Sequence, residues 1–170
     1  MDVFEAITKR YSCRSYKPKP IEPEKLTKIL EAARLAPSAK NLQDWRFVVV
    51  TNAQTRKELS SAANDQSFVG SAAAVIVACS NSDYVMRCGQ PIGPIDVSIA
   101  LEHIALQAVE LGLATCWIGS FFPEKVKAIL GIPENIEIVE LMTIGYPDDS
   151  QPTPRRQKLE EIACYEKWQF

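Results

Sequence analysis

The segment from Ile95 to Leu111 constrains the fold of this chain more than any other. It is predicted to form the longest helix, is apolar on almost every side, and ends at Gly112, a residue suited to the left-handed position that closes a helix. Such a helix must be covered on nearly all of its faces. In a chain of 170 residues, of which 46% are hydrophobic, this requirement predicts a subunit interface in addition to an intramolecular core.

The rest of the chain alternates helical patterns with short apolar strands. Apolar residues at helical spacing predict helices, and runs of β-branched residues predict buried strands. The predicted helices are Asp2–Lys9, a segment that follows Pro23 and is stopped by Pro37, a segment capped by Asn52 that runs to about Ala63, and Pro123–Leu130, closed by Gly131. The predicted strands are Arg46–Val50, Ala73–Cys79, Ala114–Ile118 and Ile136–Ile144. This order predicts one α+β domain over residues 1–170, with a central sheet wrapped by helices.

Composition and charge argue against several functions and locations. The formal net charge is -2 and the basic residues are scattered, so no nucleic-acid partner is expected. The longest continuous apolar run, Ala72–Cys79, is far shorter than the ~20 residues of a membrane helix, so no membrane partner is expected. The first residues have neither signal-peptide nor transit-peptide character. Five irregularly spaced cysteines favour a reducing, cytoplasmic location over a disulfide framework.

Most familiar catalytic signatures are absent from the sequence. The single histidine, His103, lies within the apolar helix and is predicted to be a packed residue, not a base. No spacing typical of metal ligands, hydrolase triads or dinucleotide-binding loops occurs. No metal site and no catalytic side chain are therefore predicted, and a cofactor would have to supply the reactivity.

Three polar segments are candidates for a binding site. Arg10–Arg14 (RYSCR) offers two guanidinium groups and a hydroxyl that could hold a phosphate, or forms a solvated basic patch at a helix end. Ala36–Trp45 offers close backbone approach and several amide groups suited to a flat polar ring, or is an ordinary loop that ends a helix. Arg155–Lys158 (RRQK), by itself, is typical of a solvated tail.

The C-terminal end combines a loose arm with an apolar terminus. The arm, Tyr146–Lys158, is rich in proline and polar residues and cannot form a core element. The last twelve residues, LEEIACYEKWQF, are apolar again. They need a surface on which to dock, and a partner subunit is one good answer.

Together these segments resemble the motifs of the nitroreductase family of flavoproteins, in the same order along the chain. Arg10, Ser12, Arg14 and Tyr16 resemble the opening motif. The stretch Pro37–Phe47 (PSAKNLQDWRF) resembles the second, Leu113–Gly119 (LATCWIG) the third, and Gly145–Pro147 with Arg155–Glu161 the closing arm. The resemblance extends from about residue 2 to residue 168.

The resemblance implies a central, mostly antiparallel sheet and a C-terminal arm that extends onto the partner of a homodimer, with FMN at the subunit interface. It implies transfer of two electrons from NAD(P)H to a small aromatic, nitro or quinone-type acceptor. The resemblance implies that Arg10 and Ser12 contact the FMN phosphate, as does Arg156 with Arg155, and that Arg14 lies near the pyrimidine edge. It implies that the other subunit contributes Pro37, Ser38, Ala39 and Asn41. Gln66 (or Asn64) would contact the polar edge of the ring, and Ile118 and Gly119 would lie beside the ring, with a backbone N–H directed at N5.

Several features differ from the family pattern or leave alternatives open. Asp44 stands where the family commonly has proline, and Gln157-Lys158-Leu159 where Lys-Pro-Leu is common. Residues 80–94 are few for a helical lid and are expected to form a loop beside a more open site. Dehalogenation or dehydrogenation on the same fold remains an alternative. So does a flavin-binding redox sensor using Cys13 or Cys88, because nearby arginines would lower a thiol pKa.

Overall fold

A computed structural model describes the chain from Met1 to Phe170. It contains seven α-helices and four β-strands. The helices are α1 (Val3–Lys9), α2 (Pro23–Arg34), α3 (Ala53–Ala62), α4 (Ser67–Ser71), α5 (Ile92–Glu110), α6 (Pro123–Leu130) and α7 (Leu159–Ile162). The strands are β1 (Trp45–Val50), β2 (Ala74–Ser80), β3 (Ala114–Ile118) and β4 (Glu137–Gly145).

The four strands form one antiparallel sheet in the order β1-β2-β4-β3. Every residue of β2 is buried, because helices cover both faces of the sheet at its centre. A strand buried on both faces has a continuous apolar sequence instead of an alternating one, as the run AVIVAC shows. The predicted α+β fold with a central antiparallel sheet is confirmed.

Two apolar cores lie on opposite faces of the sheet. One joins α2 and α5 to the side chains of Ala74, Ile76 and Ala78 on β2. The other is formed with residues of α3, α4 and α6 and receives Val75 and Val77 from the same strand. The twofold periodicity of a strand sends alternate side chains into each core.

Helix α5 is longer at its start than the sequence predicts. It begins at Ile92, three residues before the predicted Ile95, because Pro91 takes the extended N-cap position. Gly112 follows the helix with a φ of 74°, the left-handed closure that the sequence predicts. By length and composition α5 could cross a membrane, but half of the apolar stretch is buried inside the protein, as in a core helix.

Three short elements are absent from the sequence prediction. They are α4, α7 and a 3₁₀ turn at Ala39–Asn41, each of five residues or fewer. Elements of this length contain too few residues to show a hydrophobic period in the sequence. Whether they form depends on their surroundings in the fold. Residues 81–91 contain a small turn closed by a bridge between Val85 and Pro91, so no helical lid is present.

The C-terminal arm does not fold back onto the core. From Asp148 to Phe170 every residue except Cys164 is exposed, and the side chain of Trp168 is 82% exposed. The arm touches the N-terminal region where the Gln151 side chain donates a hydrogen bond to the Thr8 carbonyl at 2.8 Å. Large apolar side chains are exposed on the arm and on α1: Val3, Phe4, Ile7, Leu159, Ile162, Tyr165, Trp168 and Phe170.

Candidate functional site

The segment Arg10–Arg14 leaves α1 and runs beside the first residues of β3. Ser12 forms a parallel bridge with Thr115, and the backbone N–H of Cys13 donates to the Thr115 carbonyl at 3.0 Å. This pairing fixes the backbone of the segment, so its alternate side chains project in set directions. Arg10, Ser12 and Arg14 all face one groove.

The arginine groove, as we call it, lies between Arg10–Arg14 and the arm segment Gln151–Arg156. Its volume is about 740 Å³. Its lining includes four arginines (Arg10, Arg14, Arg155 and Arg156) and no acidic residue. Two basic segments that are more than 130 residues apart in sequence therefore meet in space, which creates a concentrated positive potential in a chain of net charge -2.

Asp149 holds one side of this groove in place, although no local sequence pattern predicts this role. Its carboxylate accepts hydrogen bonds from the Tyr11 hydroxyl at 2.8 Å, from the Cys13 thiol at 3.1 Å and from the Arg14 backbone N–H at 3.2 Å. Burial acts to raise the pKa of Asp149, but these hydrogen bonds outweigh it and lower the pKa below its usual value. The carboxylate thus stays charged, and its hydrogen bonds connect the arm to the segment Arg10–Arg14.

Cys13 is not an activated thiol, which corrects the expectation that nearby arginines lower its pKa. The residue is fully buried, and burial is the main cause that raises the pKa of its thiol to about 11, with the Asp149 carboxylate acting in the same direction. At neutral pH the residue is a thiol that donates to Asp149. Cys88, in contrast, is exposed in the loop before α5.

Arg10 forms an ion pair with a residue of α5. Its Nε atom lies 3.8 Å from the Glu102 carboxylate, and its side chain is 22% exposed. Burial raises the pKa of Glu102, while the charge of Arg10 acts against that rise. Glu102 therefore restrains Arg10 with a long ion pair and leaves most of its guanidinium donors free for a ligand.

At the far end of β3, Ile118 and Gly119 lie close to residues that precede α4. The Gln66 amide donates to the Ser120 carbonyl at 3.2 Å and to the Ala63 carbonyl at 2.8 Å, and Asn64 bonds the Ser120 hydroxyl. The predicted pair of polar residues and the predicted strand end thus come together. Sequence reasoning missed Glu140 of β4, whose carboxylate would lie 3.5 Å from a Cβ placed on Gly119.

The loop that connects α2 to β1 has an unusual backbone. Three non-glycine residues, Lys40, Asn41 and Gln43, have φ values of 52°, 57° and 56°. Ser38 caps the turn through its side-chain oxygen, which accepts from the Gln43 N–H at 3.1 Å. The Asp44 carbonyl accepts from the Asn81 N–H at 3.0 Å, so the chain is held here without the proline that the family commonly has.

This loop does not contribute to the arginine groove of its own chain. Pro37, Ser38, Ala39 and Asn41 are half-buried or exposed, and none of them lines the groove. Its firmest link to the core is the Asp96 carboxylate of α5, which accepts a hydrogen bond from the Ala39 N–H. The sequence signal by which Asp96 could have been found is a carboxylate that stands among apolar residues near the start of α5.

His103 is a structural residue, as expected. Its Nδ1 lies 3.2 Å from the Ala32 carbonyl of α2, and the ring is partly buried between the two helices. It has no contact with the arginine groove. No cluster of His, Cys, Asp or Glu capable of holding a metal ion is present.

Comparison with known proteins decides which family the chain represents. The model of the nitroreductase family matches residues 7–86 and 63–146, which together include the opening motif, the left-handed loop and β3. The chain belongs to the nitroreductase family. The matched residues include the Arg10–Arg14 side of the arginine groove, the loop and the end of β3, and they stop before the arm segment Gln151–Arg156.

Individual members of the family agree closely in fold. A nitroreductase family protein from Clostridium difficile 630 is 35% identical, with a TM-score of 0.89, and the match covers 99% of this chain and 100% of that one. The FMN-dependent nitroreductase of C. difficile R20291 is 30% identical, with a TM-score of 0.84 over 96% and 99% of the two chains. An NADH dehydrogenase from Thermus thermophilus is 32% identical over 97% of this chain and 96% of its own length.

Proposed function

We propose that residues 1–170 form a single FMN-binding domain that works as a homodimer. In this proposal it transfers two electrons from NAD(P)H to a small aromatic, nitro or quinone-type acceptor. Its relatives include an FMN-dependent nitroreductase and an NADH dehydrogenase, which fits this donor and this cofactor.

The arginine groove is the observation that carries the proposal. Four guanidinium groups in a groove that no acidic residue lines suit the phosphate of FMN, because each offers a planar fork of donors to phosphate oxygens. Arg10 and Ser12 would hold the phosphate from one side. Arg155 and Arg156 would close on it from the arm.

The ring of the cofactor would extend from this groove along β3. Ser12 pairs with Thr115, and Ile118 follows three residues later, about 10 Å along an extended strand. Gly119 has no side chain of its own there, and the Glu140 carboxylate lies 3.5 Å from where a Cβ would stand. Arg14 would lie at the pyrimidine edge, and Gln66 at the polar edge of the ring.

A second subunit would complete the site. Pro37, Ser38, Ala39 and Asn41 lie outside the groove of their own chain, which is the arrangement expected if they reach the flavin of the partner. The apolar side chains that are exposed on the arm and on α1 need a surface to cover them. Docking of the arm on the partner would bury both sets.

The chain's own residues would orient the ligands and supply electrostatic stabilisation instead of acid–base catalysis. FMN, when bound, would supply the two-electron chemistry between the nicotinamide and an acceptor that later takes the same place, in a ping-pong order. Arg14 would stabilise the negative charge that develops at the pyrimidine edge, an effect that is larger where water is excluded. No side chain is proposed as a catalytic acid or base.

A visible absorption spectrum of the purified protein tests this proposal. An equivalent of FMN per chain, bleached by NADH without oxygen and restored by a quinone or a nitroaromatic, is the expected result. A protein that neither contains nor takes up FMN would refute it. Reoxidation only by halogenated aromatics would instead support a dehalogenating reaction. Reduction of the oxidised flavin by a saturated-ring substrate, with a separate acceptor such as oxygen taking the electrons, would support a dehydrogenating reaction on the same cofactor.

A further inference from the structure

The structure contains one buried charged residue, and it lies beside a loop that has three non-glycine residues with left-handed backbone. Asp96 is 4% exposed and is the only charged residue among the 42 buried residues. Burying a carboxylate is unfavourable unless hydrogen bonds and nearby charges offset the loss of water. An apolar side chain would serve the packing of α5 at lower cost, so a further reason for the carboxylate is needed.

The hydrogen bonds of Asp96 identify that reason. Its two carboxylate oxygens lie 3.2 and 3.1 Å from the backbone nitrogen of Ala39, and no other donor contacts them. The buried carboxylate therefore accepts a hydrogen bond from a single backbone N–H, which lies 57 residues earlier in the chain. Hydrogen bonds to a charged acceptor are stronger than neutral ones, particularly where water is excluded.

The backbone held in this way would not keep its conformation unaided. Lys40 and Asn41, which follow Ala39 directly, adopt the left-handed region that side chains with a Cβ rarely occupy. Strained residues of this kind persist only where the surroundings over-determine them, and they concentrate at functional sites. The turn is also held by hydrogen bonds within the loop itself, donated by the N–H groups of Asn41, Leu42 and Gln43 and by the Gln43 side chain. From outside the turn, the Arg46 side chain donates to the Gln43 carbonyl.

We propose that Asp96 is a positioning residue for FMN binding: its buried carboxylate holds the Ala39 backbone and so keeps the segment Pro37–Asn41 in the shape that contacts the flavin. This inference rests on the proposed function, in which the segment serves the flavin of the partner subunit. Asp96 does not touch the cofactor itself. It sets the fraction of molecules whose loop is ready to bind.

The first measurement needs no cofactor. Hydrogen exchange of the peptide that spans residues 36–44 is compared in the apoprotein for the wild type, Asp96→Ala and Asp96→Asn. Asp96→Ala should exchange faster in this peptide alone. Asp96→Asn should lie between it and the wild type, because the carboxamide oxygen still accepts a hydrogen bond but carries no charge.

The second measurement is the FMN dissociation constant of the same proteins, followed by quenching of flavin fluorescence. If the loop is in the competent shape only about a tenth of the time in Asp96→Ala, the dissociation constant rises about tenfold. Glu58→Ala, which removes an exposed carboxylate from α3 on the opposite face of the sheet, should leave both measurements unchanged.

The results separate this inference from the proposed function. Unchanged exchange and unchanged FMN affinity in Asp96→Ala would overturn it, and so would equal losses in the Ala and Asn variants. Faster exchange in Asp96→Ala together with a wild type that binds no FMN would support the anchor but refute its role in flavin binding. The Asn variant keeps the test valid if Asp96→Ala does not fold.

Discussion

The buried hydroxyl of Tyr16 is expected to stabilise both the fold and the segment Arg10–Arg14. The ring is 7% exposed, and its hydroxyl bonds the Cys13 carbonyl at 2.9 Å and the Thr143 hydroxyl at 2.7 Å. Cys13 lies between Ser12 and Arg14, so the Tyr16 hydroxyl supports the backbone from which both side chains project. Tyr16→Phe removes this hydroxyl and leaves the rest of the ring in place.

The loss of unfolding free energy depends on whether each hydrogen-bond partner of the Tyr16 hydroxyl can find another partner. The Cys13 carbonyl has no other donor, and an unsatisfied buried acceptor costs about 1–3 kcal/mol. Thr143 can turn its hydroxyl fully to the Cys116 carbonyl, 3.4 Å away, so its loss is small. Tyr16→Phe should therefore lower the free energy of unfolding by about 2 kcal/mol, or the melting temperature by roughly 4–8 °C for a domain of this size.

Urea unfolding of both proteins at the same protein concentration measures this effect. A double-mutant cycle with Thr143→Val isolates the hydroxyl pair. The double variant should lose about 1 kcal/mol less than the sum of the single variants, because the two groups share one hydrogen bond. A Tyr16→Phe variant within ~0.5 kcal/mol of the wild type would refute the reasoning.

Three further predictions concern charge and thiol chemistry. Arg14→Ala should lower the reduction potential of bound FMN and weaken FMN binding about tenfold, as measured by dye equilibration and fluorescence titration. Thiol labelling mapped by mass spectrometry should modify Cys88 in the native protein, whereas Cys13 should react only after unfolding, because burial raises its thiol pKa to about 11. Burial raises the pKa of Glu140 above its ordinary value of 4.5. Between the pKa of the unfolded chain and that of the native state, the native protein therefore binds more protons at Glu140 than the unfolded chain does. The free energy of unfolding falls as the pH rises through this range. Glu140→Gln should remove that fall, and unfolding free energies at several pH values will measure it.

Matched variants make these outcomes decisive. Arg34→Ala removes an exposed arginine from α2 and should leave potential and FMN affinity unchanged. Equal effects of the two arginine variants would argue against a specific role for Arg14. Rapid native labelling of Cys13 would contradict its burial. A constant stability difference between wild type and Glu140→Gln over the whole pH range would show that Glu140 does not titrate with folding.

The sequence by itself determined the elements of the fold with strong local signals. The apolar run of β2, the cap at Asn52, the closing glycines Gly112 and Gly131 and the long α5 all agree with the structure, since each depends on residues close together in sequence. The motifs also sufficed to identify the family. Boundaries shifted by up to three residues where a neighbouring proline set the start.

Only the tertiary structure decided how the site is held together. Asp149 meets Arg14 across 135 residues and Asp96 meets Ala39 across 57, and no local period connects such pairs. The same holds for Cys13, whose pKa depends on burial and on Asp149 more than on the arginines beside it in sequence. Local sequence sets which element forms, because helix and strand periods are local. Sheet register and helix packing determine which side chains come into contact, and the chemistry of the site depends on those contacts.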